Sequence, residues 1–314
     1  MIENICKFYN ILAWFSKKSM LGVKDNFLLI SRQGKMLQFN QIVRQENLHR
    51  FARFRFVRKL YSLIQNQRQR FNSAVFENQN GAGNSDLFNE FNVNECAQKI
   101  HKTGVCFGLH LPIELVDEIY EYAQNSFCTE PGFNDKFLIH EVQEGCLRQG
   151  RPVVRALVNN PAECPAIEKV VADPILLQIV REYLQYYPTR ITRHLTWSVV
   201  SHLPDRGKKL YPPTTFHYDI AGFNFMTVYF YITDVEINSG AHVMIEGSHN
   251  QKPLDIVLSS GRHSDEKIYN YYGKDKEIVI EGKRGFGFVQ DPSCIHKVLP
   301  PITRNRLLLQ IRYS

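Results

Sequence analysis

The chain contains no CxxC pair, and its seven cysteines (Cys6, Cys96, Cys106, Cys128, Cys146, Cys164 and Cys294) are odd in number and scattered. A secreted disulfide framework and a zinc ribbon are both excluded, and a reducing, cytoplasmic setting is the simpler reading. No apolar run approaches the ~20 residues of a membrane-spanning helix. The opening stretch "MIENICKFYNILAWFSKK" has an apolar centre, but its charges follow that centre. No small-residue cleavage site accompanies it, so it does not read as a secretory signal. Internal repeats and long low-complexity tracts are missing too, and the composition is neither collagenous nor disordered. With 314 residues, 44% of them hydrophobic, the chain can bury a sizeable core as one large domain or two small ones.

Basic charge is present but unevenly placed. Residues 1–75 hold 14 Lys and Arg against three acids, about +11, whereas the whole chain carries +7. The rest is therefore mildly acidic. "RFARFRFVRKLYSLI" mixes aromatics with arginines. One reading is a helix laid on the main domain, its arginine stems packing and their heads solvated. Another is peripheral contact of residues 1–75 with an anionic membrane or an acidic partner. Nucleic acid is disfavoured, because no recognition motif accompanies the charge. "NQNGAGNS", 78–85, reads as a linker, dividing the chain into a basic N-terminal helical extension, 1–85, and a domain, 86–314.

From Phe88 the pattern becomes orderly. "NECAQKIHKTGVCFGLHLPIELVDEIYEYAQ" predicts helix, strand, helix, with the first helix ending near Gly104 and the second opening on a proline. "CPAIEKVVADPILLQIVREYLQYY" predicts two more helices, the second starting at Pro174. After Thr189 the character turns to β. "RITRHLTWSVVSHL", "FNFMTVYFYITDV", "AHVMIEGSH", "EIVIEGKRGFGFVQ" and "NRLLLQIRYS" are β-branched or aromatic and separated by Gly, Asn and Pro turns. Helices followed by many antiparallel strands predict an α+β protein with a β-sandwich or jelly-roll core.

One short stretch, "TTFHYDIAGF", asks for a chemical explanation. His217 and Asp219 are two residues apart, so in a strand they point to one face. His296 in "FVQDPSCIHKV" lies 79 residues downstream, a separation a two-layer β-fold closes readily. Two imidazoles and one carboxylate leave about three octahedral positions open, which suits non-haem Fe(II) with a chelating cosubstrate and O2. A structural zinc site would want four ligands. A dicarboxylate cosubstrate such as 2-oxoglutarate also calls for a guanidinium fork. Arg306 stands at the head of the last strand, with Arg304 deeper in the preceding turn and Arg312 at the strand's far end.

The pieces "HYD", "YITDVEINSGAHVMIEGSH", "GFGFVQDPSCIH" and "RLLLQIRY" occur in an order and at separations that resemble the phytanoyl-CoA dioxygenase family of Fe(II)/2-oxoglutarate oxygenases. The resemblance runs from about Asn94 to Ser314. It implies a double-stranded β-helix of the cupin-like, jelly-roll kind. His217, Asp219 and His296 match the iron triad, Arg306 matches the arginine on the distal carboxylate of 2-oxoglutarate, and Tyr229 matches an aromatic lining that pocket. Asp219 is a true carboxylate, unlike the glycine or alanine of related halogenases, so halogenation is disfavoured. Ala241 and Glu246 stand where the family more often has proline, implying an altered loop shape and not lost metal binding. The implied reaction hydroxylates an aliphatic C–H of a small-molecule or lipid-like substrate, releasing succinate and CO2.

Other residues have plainer readings. Cys294 reads as a small buried residue, with thiolate ligation as the alternative. His249 reads as a turn-holding residue, His242 and His263 as polar loop surface, with fourth ligands as the alternative, and Trp197 as core, with a pocket wall as the alternative. His194 and His202 flank a strand, and His202 is a candidate pocket residue. "KIYNYYGKDKE", 267–277, reads as a packed surface loop, with a substrate lid as the alternative. At the level of function, two alternatives are a non-catalytic metal-binding β-module and a membrane-recruited protein acting through its basic N-terminal region.

Overall fold

The computed structural model describes residues 29–30, 36–37, 49–71, 85–88, 91–200, 212–259 and 261–314. His202 and most of the basic N-terminal stretch lie outside them. Leu29–Ile30 (β1) pairs with Met36–Leu37 (β2). A 17-residue helix follows, Arg55–Phe71 (α1). Val93–Thr103 (α2), Val105–His110 (β3) and Ile113–Asn125 (α3) form the helix–strand–helix of the sequence reading. Asn92 caps α2 by accepting from the Glu95 N–H, and Gly104 ends it at φ +90, a left-handed conformation that glycine adopts without a Cβ penalty.

Three short strands, Cys128–Thr129 (β4), Lys136–Phe137 (β5) and Arg155–Val158 (β6), precede two helices, Pro165–Val171 (α4) and Pro174–Leu184 (α5). α5 starts where the sequence places it. Pro174 occupies the first turn, and the Asp173 carboxylate accepts from the Ile175 and Leu176 N–H groups.

The β-rich remainder comprises Ile191–Ser198 (β7), Phe216–His217 (β8), Met226–Tyr231 (β9), His242–Ile245 (β10), Arg262–His263 (β11), Glu277–Ile280 (β12), Phe286–Gln290 (β13), His296–Val298 (β14) and Arg306–Tyr313 (β15). Short helices Leu254–Leu258 (α6) and Asp265–Tyr272 (α7) interrupt it. Stretch 267–277 is therefore helical in its first half and not a loop. Ser264 caps α7 by accepting from the Lys267 N–H, and Asp265 and Glu266 occupy its positive end, which stabilises a helix start.

These strands form two antiparallel sheets, ordered β11-β8-β14-β10-β12 and β3-β13-β9-β15-β7-β6-β4-β5. The protein is thus a mixed structure of helices and antiparallel sheet. The period-2 pattern of β15 divides its two faces. Leu307, Leu309, Ile311 and Tyr313 join a core with Ile100 of α2, Ile119 of α3 and Leu176 and Ile179 of α5. Leu308 faces the other way, onto Tyr229, Tyr231, Phe288, Met244 and Ile280 between the sheets. Each fully buried Leu or Ile contributes ~1.5–3 kcal/mol, so the helical layer fixes the large sheet firmly. Trp197 belongs to that helix-facing core, as its parity implies.

α1 lies against this body with an unusual face. Val57, Arg58, Ser62 and Gln69 are its buried residues, while Phe56 and Leu63 are exposed. Ser62 Oγ accepts from Asn224 Nδ2 at 2.9 Å, Gln69 bonds the Tyr187 backbone at 2.8 and 2.7 Å, and Tyr61 stacks on Phe223 at 5.2 Å. A helix laid on the main domain is what the structure shows. Arg55 is exposed, as that reading has it, but the Arg58 guanidinium is buried and paired with Asp291.

Candidate active site

Two adjacent strands of the small sheet build the site. His296 on β14 stands directly opposite His217 on β8, their ring centroids 4.4 Å apart. β8 ends at His217, and Asp219 lies just beyond the strand. Its backbone N–H donates to Pro292 O at 2.9 Å, in the turn that leads into β14. The result gathers one ligand atom from each of His217, Asp219 and His296 within 4.8 Å of one another.

The imidazoles are oriented by the same device. His217 Nδ1 lies 2.8 Å from Thr215 O, and His296 Nδ1 lies 2.8 Å from Cys294 O. A carbonyl can only accept, so each Nδ1 carries a proton, and Nε2 is the nitrogen each ring presents to a ligand. Burial, with the neighbouring His217, holds the His296 pKa down at about 4 despite the Asp219 carboxylate. The ring is thus neutral near pH 7. The two Asp219 oxygens are divided between partners. Oδ1 is 3.8 Å from His217 Nε2, and Oδ2 is 3.1 Å from an Arg312 guanidinium nitrogen. This donor set, with its proton positions fixed and one carboxylate oxygen turned toward the imidazoles, fits a divalent metal.

Arg306 is 1% exposed and donates to Gly240 O and, at 3.0 Å, to Ser198 Oγ. Its Nε has no hydrogen-bond partner among the described residues, and His242 Nε2 and the Gln290 side chain, which lie near each other, make no well-aligned hydrogen bond. Buried polar groups are rarely left unmatched. These groups belong to one region between the sheets. His242 stacks at 5.3 Å on His296 and lies 5.4 Å from the Tyr229 ring. Burial first, then the charges of His296, Arg306 and His217, drive its pKa well below the ordinary histidine value. A guanidinium at one end, a metal-type triad at the other and incompletely matched polar groups between them fit a dicarboxylate cosubstrate.

Among the sequence candidates, Arg304 turns outward to Glu236 at 2.8 Å. Arg312 does not stay remote at the strand's far end, because it reaches Asp219. His242 and His263 are not loop surface. Each sits in a strand and is buried. Cys294 is fully buried, and burial pushes its thiol up to about 12. His249 links α2 to the turn before β14, with Nε2 3.2 Å from His101 O and Nδ1 3.4 Å from Cys294 Sγ. The tyrosines of 267–277 bond Glu277, Asp255 and Gln251, as a packed surface element would. Sequence reasoning missed Gln290, although its period-2 relation to Phe288 aims it between the sheets.

The model of the phytanoyl-CoA dioxygenase (PhyH) family matches residues 130–303, more than half of the chain. No curated protein matches it. Similar solved structures include the non-heme alpha ketoglutarate dependent epimerase SnoN from nogalamycin biosynthesis, 14% identical over 71% of this chain and 82% of that one, at a TM-score of 0.48. HygX from Streptomyces hygroscopicus, with nickel and 2-oxoglutarate bound, is 13% identical over 70% and 86%, at 0.48. The carbocyclase SnoK from nogalamycin biosynthesis is 16% identical over 74% and 87%, at 0.46. The assignment rests on the family match. That family's chemistry depends on Fe(II), 2-oxoglutarate and O2, and this chain belongs to the phytanoyl-CoA dioxygenase family.

Proposed function

We propose that the protein hydroxylates an aliphatic C–H of a small-molecule or lipid-like substrate. The overall change would convert substrate, 2-oxoglutarate and O2 into hydroxylated substrate, succinate and CO2. One observation carries the reading, namely a His217–Asp219–His296 cluster in which both Nδ1 atoms face backbone carbonyls and one ligand atom of each residue lies within 4.8 Å of the others, beside the buried Arg306.

His217 Nε2, Asp219 Oδ1 and His296 Nε2 would hold Fe(II), and the two sheets would form the jelly roll around it. When bound, the iron supplies the redox chemistry that couples decarboxylation of 2-oxoglutarate to oxidation of the substrate. Arg306 would take the distal carboxylate as a planar fork in a site from which water is excluded, where a charge-assisted pair is strong. His242 and Gln290 would satisfy further cosubstrate oxygens, with Tyr229 as wall. Thr215 O and Cys294 O keep the imidazole protons on the far side of each ring. Arg312 holds Asp219 Oδ2, leaving one oxygen per carboxylate for the metal. A cytoplasmic setting belongs to this reading, since the six described cysteines are all free thiols.

Succinate release tests the cofactor half. Product mass tests the reaction, with one added oxygen expected for hydroxylation. Loss of two hydrogens, or a product isomeric with the substrate, would replace hydroxylation by desaturation, cyclisation or epimerisation at the same site.

A further inference from the structure

Arg58 lies outside the family-matched residues, in the segment the sequence set apart as an extension. Its guanidinium nonetheless reaches a carboxylate buried beside the candidate site. One Arg58 nitrogen stands 3.0 and 2.9 Å from the two Asp291 oxygens. Asp291 is 1% exposed and also accepts from Tyr183 Oη at 2.6 Å and from the Ser293 N–H at 2.8 Å. Burial alone would raise the Asp291 pKa. The Arg58 charge, His249 and the Tyr183 and Ser293 hydrogen bonds outweigh it and hold the carboxyl far below the usual range.

The turn that Asp291 opens serves two of the three site residues. Cys294 N–H closes it on Asp291 O at 2.9 Å. Pro292 O then accepts from the Asp219 backbone, and Cys294 O accepts from His296 Nδ1 at 2.8 Å. A shift of this turn moves Asp219 and the His296 ring together. α1 also grips the chain just past Asp219, through Ser62 on Asn224 and Tyr61 on Phe223.

We infer that Arg58 is a positioning residue of the metal site, since it clamps Asp291 and so fixes the 291–294 turn whose carbonyls orient Asp219 and His296. This rests on the functional reading above. Through Arg58 the N-terminal helix is then tied to the metal site and is not a detachable appendage. An arginine does this where an apolar residue would not, because a charged nitrogen placed between the two oxygens sets the orientation of the carboxylate and not merely its burial.

The test compares Arg58→Met, Arg58→Lys and Gln69→Ala in the full-length protein by anaerobic Fe(II) and Co(II) titration, with circular dichroism and thermal melts alongside. Gln69 anchors the far end of α1 on Tyr187, away from the turn, and serves as the control for helix docking. Loss of a residue that orients metal ligands weakens metal binding by roughly 10–100-fold. We expect a loss of that size in folded Arg58→Met, a smaller one in Arg58→Lys, an altered Co(II) ligand-field spectrum in both, and wild-type affinity with a lower Tm in Gln69→Ala. If Arg58→Met does not fold, Arg58→Lys decides by the same titration. Wild-type affinity in a folded Arg58 variant overturns the inference, as does an equal loss in Gln69→Ala. No metal uptake by the wild type instead overturns the functional reading itself, and this inference with it.

Discussion

His217 and His296, 79 residues apart, are direct cross-strand partners whose rings face one site. Their Nδ1 atoms are both satisfied by carbonyls two residues earlier in their own chain segments. The backbone therefore sets the tautomer of each ring before any ligand arrives, which lowers the ordering cost of binding.

Arg312 completes that arrangement from the large sheet. Replacing it with leucine frees Asp219 Oδ2 and leaves the carboxylate to rotate. We expect Arg312→Leu to weaken Fe(II) or Co(II) binding by roughly 10–100-fold with an unchanged fold, as read by anaerobic titration. Unchanged affinity would make the 3.1 Å pair irrelevant to the site.

The site's outline was legible because short-range chemistry marks it. His217 and Asp219 share a strand-like stretch, and the block before His296 is distinctive. The helices were legible from capping signals at Pro174 and Gly104. What escaped was long-range pairing of polar groups. Arg58 and Asp291 are separated by 233 residues, and nothing in "RFVRKL" distinguishes the arginine that is buried from those that are not. Period-3.6 reasoning looks for an apolar stripe, but the buried face of α1 includes Arg58, Ser62 and Gln69. His242 escaped because a polar residue in a four-residue strand gives no pattern, and only the pairing with β12 and β14 places it inside.

Gly104 ends α2 at φ +90, and a Cβ there would overlap Cys294 Sγ and crowd His249 Nδ1, at 3.0 Å. Gly104→Ala combines backbone strain with displacement of the turn that carries Cys294. We expect a stability loss of about 1–3 kcal/mol or more in urea denaturation, accompanied by weaker metal binding. A loss under about 0.5 kcal/mol would show that the turn accommodates the methyl freely.

Acid should destabilise the metal-free protein in a defined window. Burial, with His217 close by, depresses the His296 pKa to about 4, and burial also lowers His242 and His249. Such groups stay neutral in the folded state while the unfolded chain takes up protons near pH 6.5. Their stability contribution is present above about pH 6.5 and is lost as pH falls toward 4. Each unit by which a histidine pKa is lowered adds ~1.4 kcal/mol to the loss. Urea midpoints at pH 7.5 and 5 should show the decline, and equal midpoints would refute neutral burial.

The most direct measurement is an anaerobic titration with Fe(II) and then 2-oxoglutarate, following the visible charge-transfer band of the chelate. We expect a band in the wild type, none in His217→Ala, and in Arg306→Ala a band that needs roughly 100-fold more 2-oxoglutarate, a factor equal to about 2.7 kcal/mol. A folded, iron-loaded wild type without the band, or a His217→Ala variant that retains it, would contradict the assignment of this site.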